Sequence, residues 1–451
     1  MDTSIFKAYD VRGVVPSELD SESARAIGAG FAKFCDSSEI VVGYDMRTSS
    51  IELSDAFIEG VNSQGTSVIS IGLCSTDMLY FASGRLAAPG AMFTASHNPA
   101  QYNGIKLCRA GAAPISADSG LNEIKGLAQA FLAGALPALD RSNVKNRKEE
   151  MLEDFVKHLH SFIDISSLNP LKVVCDTANG MGGLVVPAAL NQLGLDLTFL
   201  YPELDGTFPN HPADPIQPEN LIDLKSEVVM RNADVGLAFD GDADRVFLVD
   251  DKAAPLSGSL TTSIVAKAIL SSHPGATILY NLICSKAVPE LITKLGGVPI
   301  RTRVGHSFIK SEMARTGAVF GGEHSGHYYF RDNYRADSGL VAALMILQVL
   351  STSDEPLSDL RIPLETYASS GEVNTKVKDA KKVTDFISNA YGDRGTMDRL
   401  DGLTVDLGEW WFNVRPSNTE PLLRLNLEAK NSQEVASRLS EVLAVISKAD
   451  R

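Results

Sequence analysis

One arrangement recurs three times along the chain and narrows its possible folds more than any other feature. A short β-rich run ends in a polar turn, a helical stretch follows, and a second β-run comes after a glycine. The first copy is IVVGYD at 40–45, a helix over 51–62 and TSVISIG at 66–72. The second is LKVVCDTANG at 171–180, a helix over 184–193 and LDLTFLY at 195–201. The third is ATILYN at 276–281, a helix over 286–295 and VPIRTRVG at 298–305. Uninterrupted apolar strands alternating with helices of this length imply βαβ units and buried parallel or mixed sheets. Each copy is followed by a further apolar run that enters a polar, glycine-rich loop: GAMFTASHNP, ADVGLAFDGDADR and GAVFGGEHSGH. Ligands in open α/β sheets collect at the carboxyl ends of strands. Three such loops in equivalent positions are therefore predicted to face one shared cleft.

The segment 366–451 departs from this plan. It reads as a strand near 372–377, a helix near 382–390, strands from 403 to 414, the loop RPSNTEP and then LLRLNLEAK. There Leu423, Leu425 and Leu427 alternate with Arg424, Asn426 and Glu428, the period of a half-exposed strand in an α+β unit. A closing helix over 432–448 carries an apolar stripe at Val435, Leu439, Val442 and Ile446. The stretch RSNVKNRKEE at 141–150 is charged and strandless, and reads as a linker. The fold class is α/β, with three related α/β domains and a C-terminal α+β domain, at 1–140, 151–252, 253–365 and 366–451.

Composition closes off several function classes. Lys and Arg number 41 against 56 Asp and Glu, a formal charge of −15, which argues against nucleic acid or an anionic membrane as the main partner. The longest apolar run, LVAALMILQVL at 340–350, is far short of the ~20 residues of a membrane span and predicts a buried core helix. The five cysteines are an odd number, widely spread and without a C-x-x-C pair, so neither a disulfide framework nor a zinc ribbon is expected. No signal peptide is visible in MDTSIFKAYD, and a cytoplasmic location is the expectation.

DGDADR at 240–245 is the strongest local signal. Carboxylates at the alternate positions Asp240, Asp242 and Asp244 can converge on one hard cation when the chain turns around it. An EF-hand is excluded, because Arg245 stands where the loop needs Gly and Asp251 where it needs Glu. An acidic solvated turn fits poorly between the apolar runs VGLAF and VFLV. An Arg beside such a triad makes sense if the metal shares a phosphate with it.

TASHNP at 94–99 places Ser96 at a strand end, where a hydroxyl can act as nucleophile or carry a phosphoryl group; an Asn-Pro turn formed by Ser and His is the plainer alternative. No G-x-S-x-G surrounds it. Lys106 adds a cation that can return to the same place. In GEHSGH, Glu323 and Ser325 suit sugar hydroxyls, with a metal site as the rival reading. RPSNTEP joins Arg415 to Ser417, Asn418 and Thr419, the chemistry of a phosphate cradle; taken singly, either loop also reads as a surface turn.

Together with the AYDVRG opening, these four loops in this order resemble the α-D-phosphohexomutase superfamily, most closely its phosphomannomutase/phosphoglucomutase branch. The resemblance spans nearly the whole chain and implies four domains around a central cleft. It implies that Ser96 is a phosphoserine, that Asp240, Asp242 and Asp244 bind one Mg²⁺ with an oxygen of that group, and that Arg245 and His97 stabilise the transferring phosphoryl. Arg12 and Lys106 would sit at the reaction centre, with Lys106 and His306 as candidate acid/base groups. Tyr9, Glu323, Ser325 and His327 would contact the sugar, and Arg415, Ser417, Asn418 and Thr419 would hold the phosphate that is not being transferred. The implied reaction interconverts hexose 1-phosphate and hexose 6-phosphate through a hexose 1,6-bisphosphate, which also serves as activator. Phosphoglucosamine mutases of this family carry Gln where this chain has His324 and Gly where it has Asn418, so mannose phosphates are expected first and glucose phosphates second.

A phosphoglucosamine mutase and a metal-dependent sugar phosphatase are the alternative readings. The partners implied are small sugar phosphates, with monomer or dimer left open. Reorientation of the bisphosphate suggests a hinge to the fourth domain around YASSG at 367–371. Arg12, Lys106, Arg245 and Arg415, together with one metal, gathered in one cleft are expected to make it locally positive inside an acidic shell.

Overall fold

The computed structural model describes residues 1–416 and 422–450. Its first three units share one strand order, in which an edge strand, a central strand and a third strand run parallel and a fourth returns antiparallel. In the first unit these are Ser67–Leu73, Glu39–Tyr44, Gly90–Phe93 and Tyr102–Arg109. In the second they are Asp196–Leu200, Lys172–Asp176, Val235–Phe239 and Val246–Asp250. In the third they are Val298–Thr302, Thr277–Asn281, Phe320–Gly322 and Tyr328–Phe330. The repeat read from the sequence is thus a repeat of topology. The polar loops all fall at one position, the connection from the third strand to the antiparallel fourth, at the carboxyl end of the sheet.

The apolar composition of these strands fits their burial. Every residue of Val235–Phe239 and Val246–Asp250 is buried, so a polar hairpin loop is held between two immobile strands. One apolar cluster runs through all three units, from Val41 and Phe81 through Val173 and Leu237 to Ile278 and Leu344. Helix Gly339–Ser351, the 340–350 run, lies inside it with Leu340 to Leu344 fully covered. The units therefore pack as one body. Among the described residues no helix is long and apolar enough to cross a membrane, and all five cysteines are free thiols.

The fourth unit has a separate core and an antiparallel sheet in the order Ala368–Lys376, Leu422–Ala429, Trp411–Pro416, Leu403–Asp406, Thr396–Asp398. Helices Ala380–Tyr391 and Ser432–Ala449 pack against it. Three sequence expectations need correction. The stretch 141–150 is not strandless, because Arg147–Lys148 pairs in parallel with Ser67–Leu73 and extends the first sheet. The second sheet continues past 252 to Pro255–Leu256, which pairs with Val246–Asp250. The strand LLRLNLEAK is not half-exposed, since Asn426 and Glu428 are as buried as its leucines. Their face meets the third unit: Glu428 Oε1 accepts from Lys286 N of that unit at 2.9 Å and from Trp411 Nε1 of its own sheet at 2.9 Å.

Candidate active site

Ser96 sits just past the third strand of the first unit, with φ at +51°, a left-handed conformation that costs a non-glycine residue energy and persists only where its surroundings hold it. Its amide donates to Thr94 Oγ1 at 2.9 Å. Its hydroxyl donates to Asp240 Oδ2 at 2.7 Å, across the boundary between the first and second units, and lies 3.2 Å from His97 Nδ1. Gly241 makes this approach possible, because a Cβ there would stand 2.4 Å from the Ser96 carbonyl oxygen. Strand Val11–Val14 joins the same sheet with Arg12 opposite Gly104, and Arg12 Nη1 donates to Asn98 Oδ1 at 2.6 Å.

Asp240, Asp242 and Asp244 converge as the alternate spacing predicts, each offering a carboxylate oxygen within 4.8 Å of the others. All three are buried. Lys106 Nζ lies 2.6 Å from Asp242 Oδ2 and 2.7 Å from Asp244 Oδ2, and Arg245 Nε lies 2.9 Å from Asp240 Oδ2. Oδ1 of Asp242 and Oδ1 of Asp244 are buried without a hydrogen-bond partner. Buried, unmatched carboxylate oxygens beside a serine hydroxyl are what a hard, oxygen-preferring divalent cation satisfies, so these residues fit a metal. Although burial alone would raise it, Lys106 holds Asp242 well below the usual carboxylate range. For Asp240, burial beside two further carboxylates wins over Arg245 and pushes its proton affinity up.

Part of this cluster escaped sequence reading. Helix Thr76–Leu86 of the first unit begins at Asp242, where Thr76 donates through its hydroxyl at 2.5 Å and through its amide to the Asp242 carbonyl at 3.1 Å. A carboxylate at a helix N-terminus is stabilised by the aligned peptide dipoles. The S-T-D start at 75–77 signals a helix cap, but nothing local shows that it abuts another domain.

The sugar-type loop lies alongside. Arg245 and His327 form an isolated antiparallel bridge, which fastens the third unit's loop to the second's. His327 Nδ1 is 2.8 Å from Asp337 Oδ2 and 3.8 Å from Asp244 Oδ1. Against burial, these two carboxylates raise its pKa, whereas burial, then Arg245 and Arg12, drive His97 well below the normal histidine value. Two neighbouring imidazoles are thereby held in opposite protonation tendencies. Asp337 in turn pairs with the buried Lys310 at 2.9 Å, and neither residue belongs to a motif legible in sequence.

Glu323 is buried and occupied, accepting from Tyr329 Oη at 2.7 Å, Gly305 N at 3.1 Å and Asn281 Nδ2 at 3.3 Å, while Ser325 is half-buried beside it. Tyr9 reaches the third unit by donating to the Val304 carbonyl at 3.3 Å, and its ring meets His306 edge-on at 5.4 Å. Burial, then Lys310, keeps His306 neutral, with a pKa of about 3. Arg415 is half-buried in the fourth unit on Glu372, 3.1 Å away; Ser417, Asn418 and Thr419 lie outside the described residues.

The four cationic side chains do not make the cleft positive by themselves, so the expected positive potential rests on the metal counted with them. Each of the four cations is matched to a carboxylate: Arg12 to Asp10, Lys106 to Asp242 and Asp244, Arg245 to Asp240, and Arg415 to Glu372. Cations removed from water need such partners. Positive potential therefore has to come from a bound metal, or from these pairs opening onto an anionic ligand.

Four models of the phosphoglucomutase/phosphomannomutase family match the chain: α/β/α domain I over residues 3–131, domain II over 153–253, domain III over 257–367 and the C-terminal domain over 372–445. The chain is 40% identical over 433 residues to the phosphohexose mutases of Xanthomonas campestris pv. campestris (strain ATCC 33913), a match covering 95% of this chain and 96% of the relative. It is 37% identical to a phosphomannomutase of Escherichia coli K12, covering 94% of each. The crystal structure of a phosphoglucomutase/phosphomannomutase family protein from Burkholderia thailandensis superposes with a TM-score of 0.90 at 30% identity, over 100% of this chain and 98% of that one.

Proposed function

The chain belongs to the phosphoglucomutase/phosphomannomutase family and is a hexose-phosphate mutase of the isomerase class, and on that premise we propose that it interconverts mannose 1-phosphate and mannose 6-phosphate, with glucose phosphates as a second substrate pair. The observation that carries the site assignment is the 2.7 Å contact of Ser96 Oγ with Asp240 Oδ2, which brings a strand-end hydroxyl from one domain onto the acidic cluster of another. Ser96 is the residue that carries the phosphoryl group. In the forward step the Ser96 Oγ–P bond breaks as the free sugar hydroxyl oxygen bonds to phosphorus. The hydroxyl proton leaves to a base, and Ser96 Oγ regains a proton. The second step runs in reverse with the other phosphate of the 1,6-bisphosphate: Ser96 Oγ gives up its proton and bonds to that phosphorus as the sugar oxygen–phosphorus bond breaks, and the freed sugar oxygen takes a proton.

Asp240, Asp242 and Asp244, beside Ser96, would hold one Mg²⁺. When bound, the ion supplies charge neutralisation on the transferring group. Arg245, fixed on Asp240, and Arg12 present guanidinium donors to that group. His306, held neutral by burial, and Lys106, held protonated against burial by Asp242 and Asp244, are the two candidate acid/base groups. Glu323, Ser325, His327 and Tyr9 line the sugar position, while Arg415 with Ser417, Asn418 and Thr419 anchors the remote phosphate. Hexose 1,6-bisphosphate is the intermediate and the activator. The free thiols suit a reducing, cytoplasmic compartment. Mannose is placed first because the relatives include phosphomannomutases and because His324 and Asn418 stand in place of Gln and Gly.

The test compares kcat/KM for mannose, glucose and glucosamine 1-phosphates with Mg²⁺ and a bisphosphate activator, in wild type and Ser96→Ala. Isomerisation of the mannose ester at the highest kcat/KM, lost in Ser96→Ala, is expected. A glucosamine preference overturns the specificity, release of inorganic phosphate in place of isomer overturns the reaction, and an active Ser96→Ala overturns the phosphoserine.

A further inference from the structure

A buried arginine that no loop motif contains holds the serine loop from beneath. Arg47 follows the central strand of the first unit and is 2% exposed. Its Nη2 donates to the carbonyls of Ser96 at 2.8 Å and Asn98 at 2.6 Å, and its Nη1 to those of Pro99 at 2.9 Å and Tyr102 at 3.0 Å. Four carbonyls within the seven residues 96–102, three in the loop and one at the start of the next strand, thus converge on one planar guanidinium. Its Nε lies 3.2 Å from Oδ2 of the buried Asp45, whose Oδ1 accepts from Arg47 N at 2.9 Å.

The second unit closes the arrangement from the other side. The Phe208 ring centroid lies 5.0 Å from the guanidinium carbon, and at Gly206 a Cβ would stand 2.5 Å from Arg47 Cα, so only glycine lets that segment come so near. The second unit also has a carboxylate-capped turn after its own central strand, where Ala178 N donates to Asp176 Oδ1 at 3.0 Å. At the position of Arg47 that turn carries alanine. The arginine therefore belongs to the repeat that bears the serine and is not required by the repeat itself.

We infer that Arg47 is a positioning residue for phosphoryl transfer: it fixes the left-handed Ser96 in line with the acidic cluster, and through Phe208 and Gly206 ties that loop to the domain that supplies the cluster. The inference rests on the assignment of Ser96 as the phosphoryl carrier. A fork of donors spanning two pairs of carbonyls cannot be replaced by a single ammonium, even though lysine keeps the charge that Asp45 needs. A misplacement of about 1 Å at the reacting atom costs on the order of 100-fold in rate.

The experiment uses full-length wild type, Arg47→Lys and Phe208→Leu, charged on Ser96 with a hexose 1,6-bisphosphate and mixed with mannose 6-phosphate in single-turnover mode. Phosphoserine occupancy is read by mass spectrometry, and the KM for mannose 1-phosphate is measured alongside. Arg47→Lys is expected to transfer about 100-fold more slowly, with KM nearly unchanged and more of its phosphoserine lost to water, and Phe208→Leu to show a smaller loss in the same step. Wild-type transfer rates in a folded Arg47→Lys overturn the inference; should that variant fail to fold, wild-type transfer in Phe208→Leu overturns it instead. A wild-type enzyme that takes up no phosphoryl on Ser96 refutes the phosphoserine assignment, independently of Arg47.

Discussion

Replacing Lys106 by Met should expose how the acidic cluster is balanced. The ammonium lies 2.6 and 2.7 Å from two carboxylates that are themselves fully buried, and Arg245 serves the third. Three carboxylates face two cations, and the substitution leaves one. Removing one partner of a buried ion pair costs about 3–5 kcal/mol, because the remaining charge is stranded away from water. At roughly 2–4 °C per kcal/mol for a domain of about 150–250 residues, the melting temperature of the first two units should fall by roughly 6–20 °C in EDTA. A divalent cation brings two positive charges to the same carboxylates, so saturating Mg²⁺ should return most of that loss and stabilise the variant more than wild type. Scanning fluorimetry of both proteins with EDTA and with millimolar Mg²⁺ measures the difference directly. An equal loss in both conditions, or none in EDTA, would refute the charge argument.

Two further outcomes follow from other parts of the cleft. His306 has a folded pKa near 3 against 6.5 when unfolded, so its contribution is complete above about pH 6.5 and is lost as pH falls toward 3; His306→Gln should flatten the decline in urea midpoint between neutral pH and pH 5, and an unchanged slope removes that role. The expected hinge at 367–371 falls mostly in the strand Ala368–Lys376, whose pairing shifts register between Ser369 and Glu372, and the fourth unit is held to the third by Lys286–Asp406 at 2.7 Å and Tyr367–Glu290 at 2.8 Å. Ligand-free and mannose-phosphate-bound crystals should differ in the angle between these units, and identical angles in both states would eliminate the hinge.

How far the site was legible in sequence depends on where each contact is made. Asp240, Asp242 and Asp244 were readable because alternate carboxylates in one tight turn need no distant partner to converge, and Ser96 because a strand end fixes its place. Arg47 was not, because its four acceptors are main-chain carbonyls some 50 residues away, invisible to side-chain patterns. Asp337 and Lys310 were missed for a related reason, since their pairing depends on how a helix returns beneath the loop. Asn426 and Glu428 misled because alternation reports only what a strand offers, and here the third unit covers the polar face as well. The pairing of each cleft cation with a carboxylate was not legible either, because a net charge does not show which charges meet.

The single connection that carries the serine, the acidic cluster and the sugar loop in successive units has a consequence for where this enzyme is fragile. Each loop is braced by its own hairpin and the shared apolar core sets the gross arrangement of the units, but the fine alignment of the loops depends on a few contacts at the seams. These are Ser96 to Asp240, Thr76 to Asp242, Ser338 to Asp77, and the bridge between Arg245 and His327. Substitutions inside a unit should register as lost protein, whereas substitutions that remove one of these hydrogen bonds without stranding a buried charge, as loss of Lys106 would, should yield well-folded enzyme whose components are out of alignment. A screen scored separately for abundance and for turnover would sort the chain into those two classes, and the seam residues would mark the tolerance to which the machine is assembled.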